Sequence, residues 1–583
     1  MNRRKNYPLY PTVEFRDFRD LMEKAATLYG DSAAISYKKA ASDADVIRVS
    51  YNTVRDTVRD LGTEVLSLGM NRRQCAIIGG TSLNWILSYY ALMSSGAITV
   101  PLDKDMPAVD MAATLEKAEV YAVFYAPEVA AKLDHLRKNC PAKLYVCLGD
   151  KLDESATAAG DVLLSTLIAD GGKKYAEGDN SYYDNELEPD DLASIVFTSG
   201  TTGKGKGVML SQTNIAQDMT QGMYNFSIYS KKSDYSRTLC VLPPHHTFCS
   251  TIIFVGHFAL GCEFYITSGI KYLLRELQEQ KPTHLVLVPL FVETLYRRIW
   301  ATAEKSGAAP KLKKGMKISG VLRKVGIDLR KKLFAQVTST FGGHLEMVIC
   351  GGAALNQDII DFFESIGVTI LNGYGISECA PLISCNRNEW QKDGSVGTPI
   401  ITEQVKIDQP NSDGEGEICV KGPNVMLGYY KEPEATREVF DADGYFHTGD
   451  LGRLDEDGWL YITGRKKNLI IFSNGKNVYP EEIECEISRI RGVAEVVVYA
   501  GESRANPEKE VIVAEIFPNY EQLEGDGVYS ERDIENYFNE RVREANTRMA
   551  PYKKVGLVKI RKEEFVKNTS KKITRFNIDK SID

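Results

Sequence analysis

The sequence predicts an α/β protein: a large N-terminal domain of doubly wound sheets with a small β-barrel-like subdomain, followed by a small α+β C-terminal domain. Three observations carry this expectation. In the first half, helical periodicities alternate with short apolar runs, the rhythm of parallel βαβ units. From about Gly394, glycine and acidic turns crowd together and separate short alternating strands, and after Gly464 a mixed pattern of helices and strands begins.

Taken in order, Val54, Val58, Leu61, Val65 and Leu68 recur at three- and four-residue spacing and predict a helix over 54–68. The run Cys75–Gly80 reads as a buried strand ending in a glycine turn, Trp85–Ser95 as a helix, and Ala97–Leu102 as the next strand. The turn-rich stretches "SDGEGEICVKG", "DADGYFHTGD" and "DEDGWLYITG" fit a small antiparallel sheet. The main division falls at Gly464–Arg465, giving domains 1–464 and 465–583, with about 394–464 as the antiparallel part.

At 583 residues the chain is long enough for three or four domain-sized units at about 150 residues each. Apolar residues make up 43% and charged ones 26%, with a mean hydropathy of -0.25, as expected of a soluble globular protein. Seventy-one basic against 79 acidic side chains give a net charge of -8, which argues against a nucleic-acid binder. Eleven cysteines, an odd number without a CxxC pair, fit free buried thiols in a reducing cytoplasm better than a disulfide framework or a thiolate zinc site. Arg3, Arg4 and Lys5 are followed by no apolar core of a signal peptide, and Thr251–Thr267 is too short and too polar to span a bilayer. Composition is silent on oligomeric state.

One segment departs from the acidic balance. Between Glu304 and Lys332 ten Lys/Arg stand against two acids, about +8 net. A solvated helical hairpin accounts for this; peripheral contact with an anionic membrane, or with the phosphates of a ligand, is the sharper reading.

The strongest local signal follows the apolar strand Ala193–Phe197. Thr198, Ser199, Gly200, Thr201, Thr202, Gly203, Lys204, Gly205, Lys206 and Gly207 combine close backbone approach, hydroxyl donors and ammonium charge, the ingredients of a phosphate cradle. Gly200–Lys206 satisfies the GxxxxGK part of a Walker A loop. However, Gly207 replaces the hydroxyl that would ligate magnesium, and Val208–Leu210 reads as strand rather than helix, so that reading fails. A second strand, Met347–Cys350, ends in Gly351, Gly352, Ala353 and Ala354, small enough for a flat ring to lie on the backbone. The strand Val368–Leu371 leads into a loop of Asn372, Gly373, Tyr374, Gly375, Ile376, Ser377 and Glu378. Tyr374 offers a stacking face, Ser377 a hydroxyl and Glu378 a carboxylate for a hard cation. Adjacent loops at the carboxyl ends of strands are where open α/β sheets bind ligands, and together with the first loop they point to ATP with Mg2+.

These segments resemble the adenylate-forming (AMP-binding) superfamily of acyl-CoA synthetases, luciferases and peptide-synthetase adenylation domains, in order and spacing from about Phe15 to Arg575. "TSGTTGKGKGV" resembles the family's TSGTTGxPKG loop with Gly205 in place of proline, and "NGYGISE" its YGxTE motif with Ser377 in place of threonine. "YFHTGDLG" resembles the TGD motif, "GRKKNLI" the hinge, "GKNVYPEEIE" the thiol tunnel and "KNTSKKITR" the PKTxxGKI tail, without its proline and glycine.

The resemblance implies attack of a carboxylate on the α-phosphorus of ATP, then transfer of the acyl group to coenzyme A. It implies that Thr201 and Glu378 hold Mg2+, that Asp450 and Arg465 hold the ribose, and that Lys572 bridges the two reacting anions, with Lys571 adjacent. It places His246, next to His245, beside the acyl pocket, and makes Lys467 the hinge of a mobile C-terminal domain. Gly475, Lys476 and Asn477 then line the thiol tunnel in a second orientation of that domain. The basic segment and "LVLVPLFVETLYRRIW" resemble long-chain fatty acyl-CoA synthetases, so a medium- to long-chain fatty acid is the expected substrate of a cytoplasmic, membrane-peripheral ligase. A carrier-protein acylating or aminoacylating ligase and a non-catalytic acyl or nucleotide sensor are the alternatives.

Overall fold

The computed structural model describes residues 8–140, 142–198, 205–231, 233–472, 477–503, 511–567, 573–575 and 578–582, with Asn477 given by its backbone alone. The chain forms two compact units. The first comprises Met1–Gln404 and Val420–Phe446, the second Val405–Cys419 and His447–Asp583. Gly464–Arg465, where the sequence places the main division between domains, lies inside the second unit, which also takes in Val405–Cys419 and the residues from His447 onward.

The first unit has the expected α/β architecture. Its largest sheet has eight strands in the spatial order 428–429, 206–211, 192–198, 98–102, 74–78, 122–125, 144–147 and 162–163. Strands 98–102, 74–78, 122–125 and 144–147 run parallel, while 192–198 and 206–211 form an antiparallel hairpin. The helix expected near 54–68 spans Tyr51–Ser67: Ser50 caps it by accepting from the Thr53 N–H, and Val54, Val58, Leu61 and Val65 are its buried stripe. The helix Leu83–Ser94 is buried all round, from Trp85 to Ser94, so its apolar residues form no single stripe. These helices and strands 74–78 and 98–102 keep the predicted order to within three residues at their ends.

A second sheet orders strands 284–287, 347–350, 369–375, 382–385 and 398–399. Here one expectation is corrected. Asn372–Gly375 is not loop but the end of the strand Thr369–Gly375, paired antiparallel with Leu382–Cys385. The glycines that signalled a turn permit close strand return instead: a Cβ on Gly375 would lie 2.0 Å from the Pro381 carbonyl oxygen. A third sheet orders 237–240, 263–266, 33–37 and 47–50.

A four-stranded sheet of 404–408, 416–421, 446–454 and 460–465 has most of its residues in the second unit, which also carries a three-stranded one of 493–501, 511–518 and 557–560. Helices Pro480–Ser488 and Glu531–Asn546 supply Ile483, Ile487, Ile534, Phe538 and Val542 to the core over the latter. Ten of the eleven cysteines are buried, and all are free thiols. Among the described residues no helix is long and apolar enough to cross a membrane.

Candidate active site

The glycine- and threonine-rich segment connects two strands of an antiparallel hairpin, Thr198 pairing with Lys206. The segment after the loop is therefore a strand, as the rejection of a Walker A motif required. Thr198 closes the base, its hydroxyl donating to the Lys206 carbonyl at 3.5 Å. Ser199, Gly200, Thr201, Thr202, Gly203 and Lys204 lie outside the described residues. Beyond the hairpin, Gly428–Tyr429 adds a further antiparallel strand, with Tyr429 opposite Val208.

Tyr429 links the loop to the candidate metal ligand. The Lys206 ammonium sits 4.4 Å from the centre of the Tyr429 ring, and the Tyr429 hydroxyl donates to Glu378 Oε1 at 3.0 Å. Burial, reinforced by the facing Glu378 carboxylate, raises the phenol's pKa, so it stays a donor at neutral pH. Glu378 itself stands in a short 3-10 turn, Ser377–Cys379, whose carbonyl at Glu378 accepts from the Met426 N–H at 2.8 Å.

That turn is clamped from beneath. Asp218, fully buried on the helix Gln212–Asn225, accepts from the Leu382 N–H at 3.0 Å and from Asn424 Nδ2 at 3.1 Å. Asn424 Nδ2 also reaches the carbonyls of Cys379 (3.0 Å) and Leu382 (2.7 Å), tying the end of the turn to the strand that follows it. One helical turn earlier, Asn214 donates to the carbonyls of Pro423 and Val425. The constraint is strong enough to hold Ala380 at φ +66°, a left-handed conformation uncommon outside glycine. Burial pushes the Asp218 carboxyl well above the usual carboxylate range, so it favours the neutral form.

Gly351 and Gly373 face each other at the ends of neighbouring parallel strands, Cys350 pairing with Asn372. A Cβ on Gly351 would meet the Gly373 carbonyl at 3.3 Å and the Phe248 ring at 3.4 Å. The small residues Gly352, Ala353 and Ala354 continue as an exposed turn. Phe248 lies two residues after His246, so the histidine segment abuts this glycine floor. The His245 ring lies against that of His246, centres 4.4 Å apart and tilted by 42°, and approaches Asp103 at 3.8 Å, while burial lowers the His245 pKa against the opposing pull of Asp103. Tyr374 is only 9% exposed.

In the second unit, Asp450 and Arg465 are directly opposite on antiparallel strands, with Arg465 Nε 3.0 Å from Asp450 Oδ1. Asp450 is 4% exposed, and its backbone N–H donates to the Thr448 hydroxyl, which in turn donates to the Ile418 carbonyl. Glu417 organises the same turn by accepting from the Gly449 N–H, from His447 Nδ1 at 3.0 Å and from Lys466 Nζ at 2.7 Å. Burial pushes the Glu417 carboxyl up, but these donors outweigh it and hold the pKa low. Asp408, Glu417 and His447 come close enough for a metal ion, yet the Lys466 ammonium already supplies the cation there. Lys467 comes next in a 3-10 turn, its pKa lowered by burial and by Arg465.

Gly475, Lys476, Lys571 and Lys572 lie outside the described residues, as does the Asn477 side chain. Three residues after Lys572, Arg575 pairs with Glu484 at 2.5 Å and donates to the Val498 carbonyl, fixing the tail to the three-stranded sheet. Asp218, Asn424, Tyr429 and Glu417 were not anticipated from sequence. "GEICVKGPNVMLGYY" held the signal, an asparagine and tyrosines among glycines, but it looked like ordinary turn chemistry.

Residues 22–430 match the family described as AMP-binding enzyme. Among curated relatives, the long-chain-fatty-acid–CoA ligase 5 of Rattus norvegicus is 28% identical over 539 residues, covering 88% of this chain and 77% of the relative. Fatty acyl-CoA synthetase B of Dictyostelium discoideum is also 28% identical, over 86% and 77%. A solved fatty acyl CoA synthetase of Mycobacterium tuberculosis shares the fold at a TM-score of 0.63 and 21% identity, covering 96% of each chain. The anthranilate CoA ligase AuaEII, solved with anthranoyl-AMP, does so at 0.72 and 18%, covering 97% of each.

Proposed function

From the premise that the chain belongs to the AMP-binding enzyme family, we propose that it is an AMP-forming ligase joining a medium- to long-chain fatty acid to coenzyme A. The observation that carries the reading is the chain Lys206–Tyr429–Glu378, which ties the phosphate-type hairpin to a carboxylate suited to a hard cation. The similarity to ligases named for long-chain fatty acids supports the substrate class.

In the first step a carboxylate oxygen attacks the α-phosphorus, the bond to the bridging oxygen of the β-phosphate breaks, and pyrophosphate leaves. Two anions approach each other, so fixed donors and cations must wait where charge accumulates. The hairpin 198–206 is assigned to the triphosphate. The Gly351–Ala354 and Asn372–Gly375 segments are assigned to the adenine, with the Tyr374 ring as its stacking face. Asp450, pre-oriented by Arg465, takes the ribose hydroxyls. Glu378 and Thr201 are oxygen donors that fit Mg2+, which when bound neutralises phosphate charge. Tyr429 holds the Glu378 carboxylate in place, and Lys572 bridges carboxylate and α-phosphate. The contact of His245 with Asp103 leaves His246 as the acyl-pocket histidine.

In the second step the thiol sulfur attacks the acyl carbonyl carbon, AMP leaves, and the thiol proton passes to water. One line of attack cannot seat both pyrophosphate and a thiol. The C-terminal domain from Arg465 onward therefore turns about Lys467 and brings Gly475, Lys476 and Asn477 to the thiol. Peripheral contact with an anionic membrane through 304–332 belongs to the same reading.

A panel of acids, from acetate to oleate with benzoate and amino acids, tests this with ATP, Mg2+ and coenzyme A. AMP release and thioester formation are expected to peak with medium to long chains. Acid-dependent exchange of pyrophosphate into ATP without a coenzyme A thioester would favour carrier-protein loading. No exchange with any acid would favour a sensor.

A further inference from the structure

The helix Ala309–Lys324 is apolar on two faces. Leu312 and Ser319 are buried, and Leu312 packs into a core cluster that includes Ile299, Phe334 and Phe363. At about 100° per residue, Ile318, Val321 and Val325 form a separate outward stripe. They are 44%, 65% and 70% exposed. The apolar surface continues through Ile327, Leu329 and Leu333, each more than a third exposed. Isolated exposed apolar side chains are ordinary; six within sixteen residues are not.

A basic rim borders this stripe. Lys311, Lys313, Lys314, Lys317 and Lys324 are exposed on the helix, and Lys331 and Lys332 just beyond it. The arginines serve the fold instead, Arg323 pairing with Glu364 and Arg330 with Asp328. Lysines therefore supply most of the outward charge: at about 100° per residue Lys313, Lys317 and Lys324 flank one side of the apolar stripe, and Lys311 and Lys314 lie at its N-terminal end.

We propose that this face is a membrane-insertion surface, in which Ile318, Val321 and Val325 enter the headgroup–acyl boundary of an anionic bilayer while the lysine rim holds its phosphates. This deepens the membrane contact proposed above, replacing a purely electrostatic patch by apolar insertion. Charge complementarity selects the occupant. A protein of net charge -8 concentrates about +8 on this segment, with ten basic residues against two acidic ones. A second copy would bring like charge against like, and a nucleic acid offers no apolar layer for the stripe. Long stems let the lysines keep their ammonium groups at headgroup level while the stripe sinks deeper.

Sedimentation of the full chain with vesicles, without ATP or acid, tests the proposal. One vesicle set contains phosphatidylserine in phosphatidylcholine, the other phosphatidylcholine alone, at about 50 mM and about 500 mM salt. The wild type is expected to partition onto the anionic set. The triple variant Ile318→Ser, Val321→Ser, Val325→Ser is expected to lose about tenfold or more in partition coefficient at both salts. Changing Lys311, Lys313, Lys314 and Lys317 to Glu is expected to cost about tenfold at low salt and much less at high salt.

Wild-type partitioning by the serine variant, or equal binding of the wild type to neutral vesicles, would overturn the proposal. So would self-association that the serine changes abolish while vesicle binding persists, which would make a second copy the occupant. The three side chains are exposed, so the serine variant should keep its melting temperature; Val321→Leu, which keeps the stripe, should bind like the wild type. Binding is read without turnover, so a failed acid panel leaves this result standing, and failed docking leaves the ligase reading intact.

Discussion

The two compact units hold their candidate site residues by opposite electrostatic means. In the first, the described contacts around Glu378 come from neutral groups: the Tyr429 hydroxyl, the Asn424 amide beneath its turn, and Asp218, which burial drives toward its neutral form. In the second, Asp450 faces Arg465, Glu417 gathers Lys466 and His447, and Arg575 meets Glu484. The contrast fits the ligand proposed above for each. A carboxylate meant for a metal ion must keep its charge available, so neutral donors orient it without cancelling it. A ribose needs only a hydrogen-bond acceptor in a fixed place, and a partner arginine can hold that acceptor without blocking it.

The sharpest way to break this contrast is to remove charge from the tail. Lys572→Ala should slow acyl-adenylate formation by about 100-fold or more, the loss of about 3–4 kcal/mol from one preorganised donor. Chemically made acyl-adenylate and coenzyme A should still yield thioester at near the normal rate. Lys467→Pro, which fixes φ at the hinge, should do the reverse: adenylation kept, thioester formation lost. Equal loss of both half-reactions in Lys572→Ala would refute alternation, and a larger loss in Lys571→Ala would move the assignment by one residue.

The neutral clamp is next. Asn424→Ala removes a donor from two buried carbonyls and one of the two donors to Asp218, at a cost of about 3 kcal/mol in stability. Asp218→Asn, which keeps an acceptor oxygen and the neutral state, should cost less than about 1 kcal/mol. Urea titration of the two variants decides this. Equal destabilisation would mean that Asp218 acts through its charge.

A pH titration probes the same unit. Glu403 is 8% exposed, has no hydrogen-bond partner on either carboxylate oxygen among the described residues, and is pushed up to about 8 by burial. Its folded pKa lies above its unfolded one, so its contribution to stability is full below about pH 4.5 and is lost as pH rises toward 8. Between pH 5.5 and 7 the wild type should lose about 2 kcal/mol through this group. Glu403→Gln should remove that slope in urea midpoints, and an unchanged slope would place the proton elsewhere.

The smallest expected effect is Tyr429→Phe. The ring under Lys206 remains while one hydrogen bond to Glu378 goes, about 1 kcal/mol, or roughly fivefold in kcat. A rise in the magnesium concentration needed for half-maximal rate should accompany it. Lost activity at saturating magnesium would give Tyr429 a larger role than orienting Glu378.

Much of the molecule was legible in the chain. The periodicity at Val54, Val58, Leu61 and Val65, and the alternation of helix and apolar run up to Leu102, determined the doubly wound core because helical and strand periods differ and each needs one buried face. Val208–Leu210 read as strand separated the phosphate-type hairpin from a Walker A loop, since a short apolar run directly after a turn distinguishes strand from helix. Tertiary structure decided what local pattern could not. Asn372–Gly375 is strand because Leu382–Cys385 returns to pair with it. Asn424 and Asp218 serve Glu378 only because three distant segments meet, and Ile318, Val321 and Val325 became a surface because Leu312 and Ser319 took the inner face. Local sequence sets the preferences of neighbours in the chain, whereas burial, pairing and exposure are set by contacts between residues from a few to about two hundred positions apart, which only the folded chain brings together.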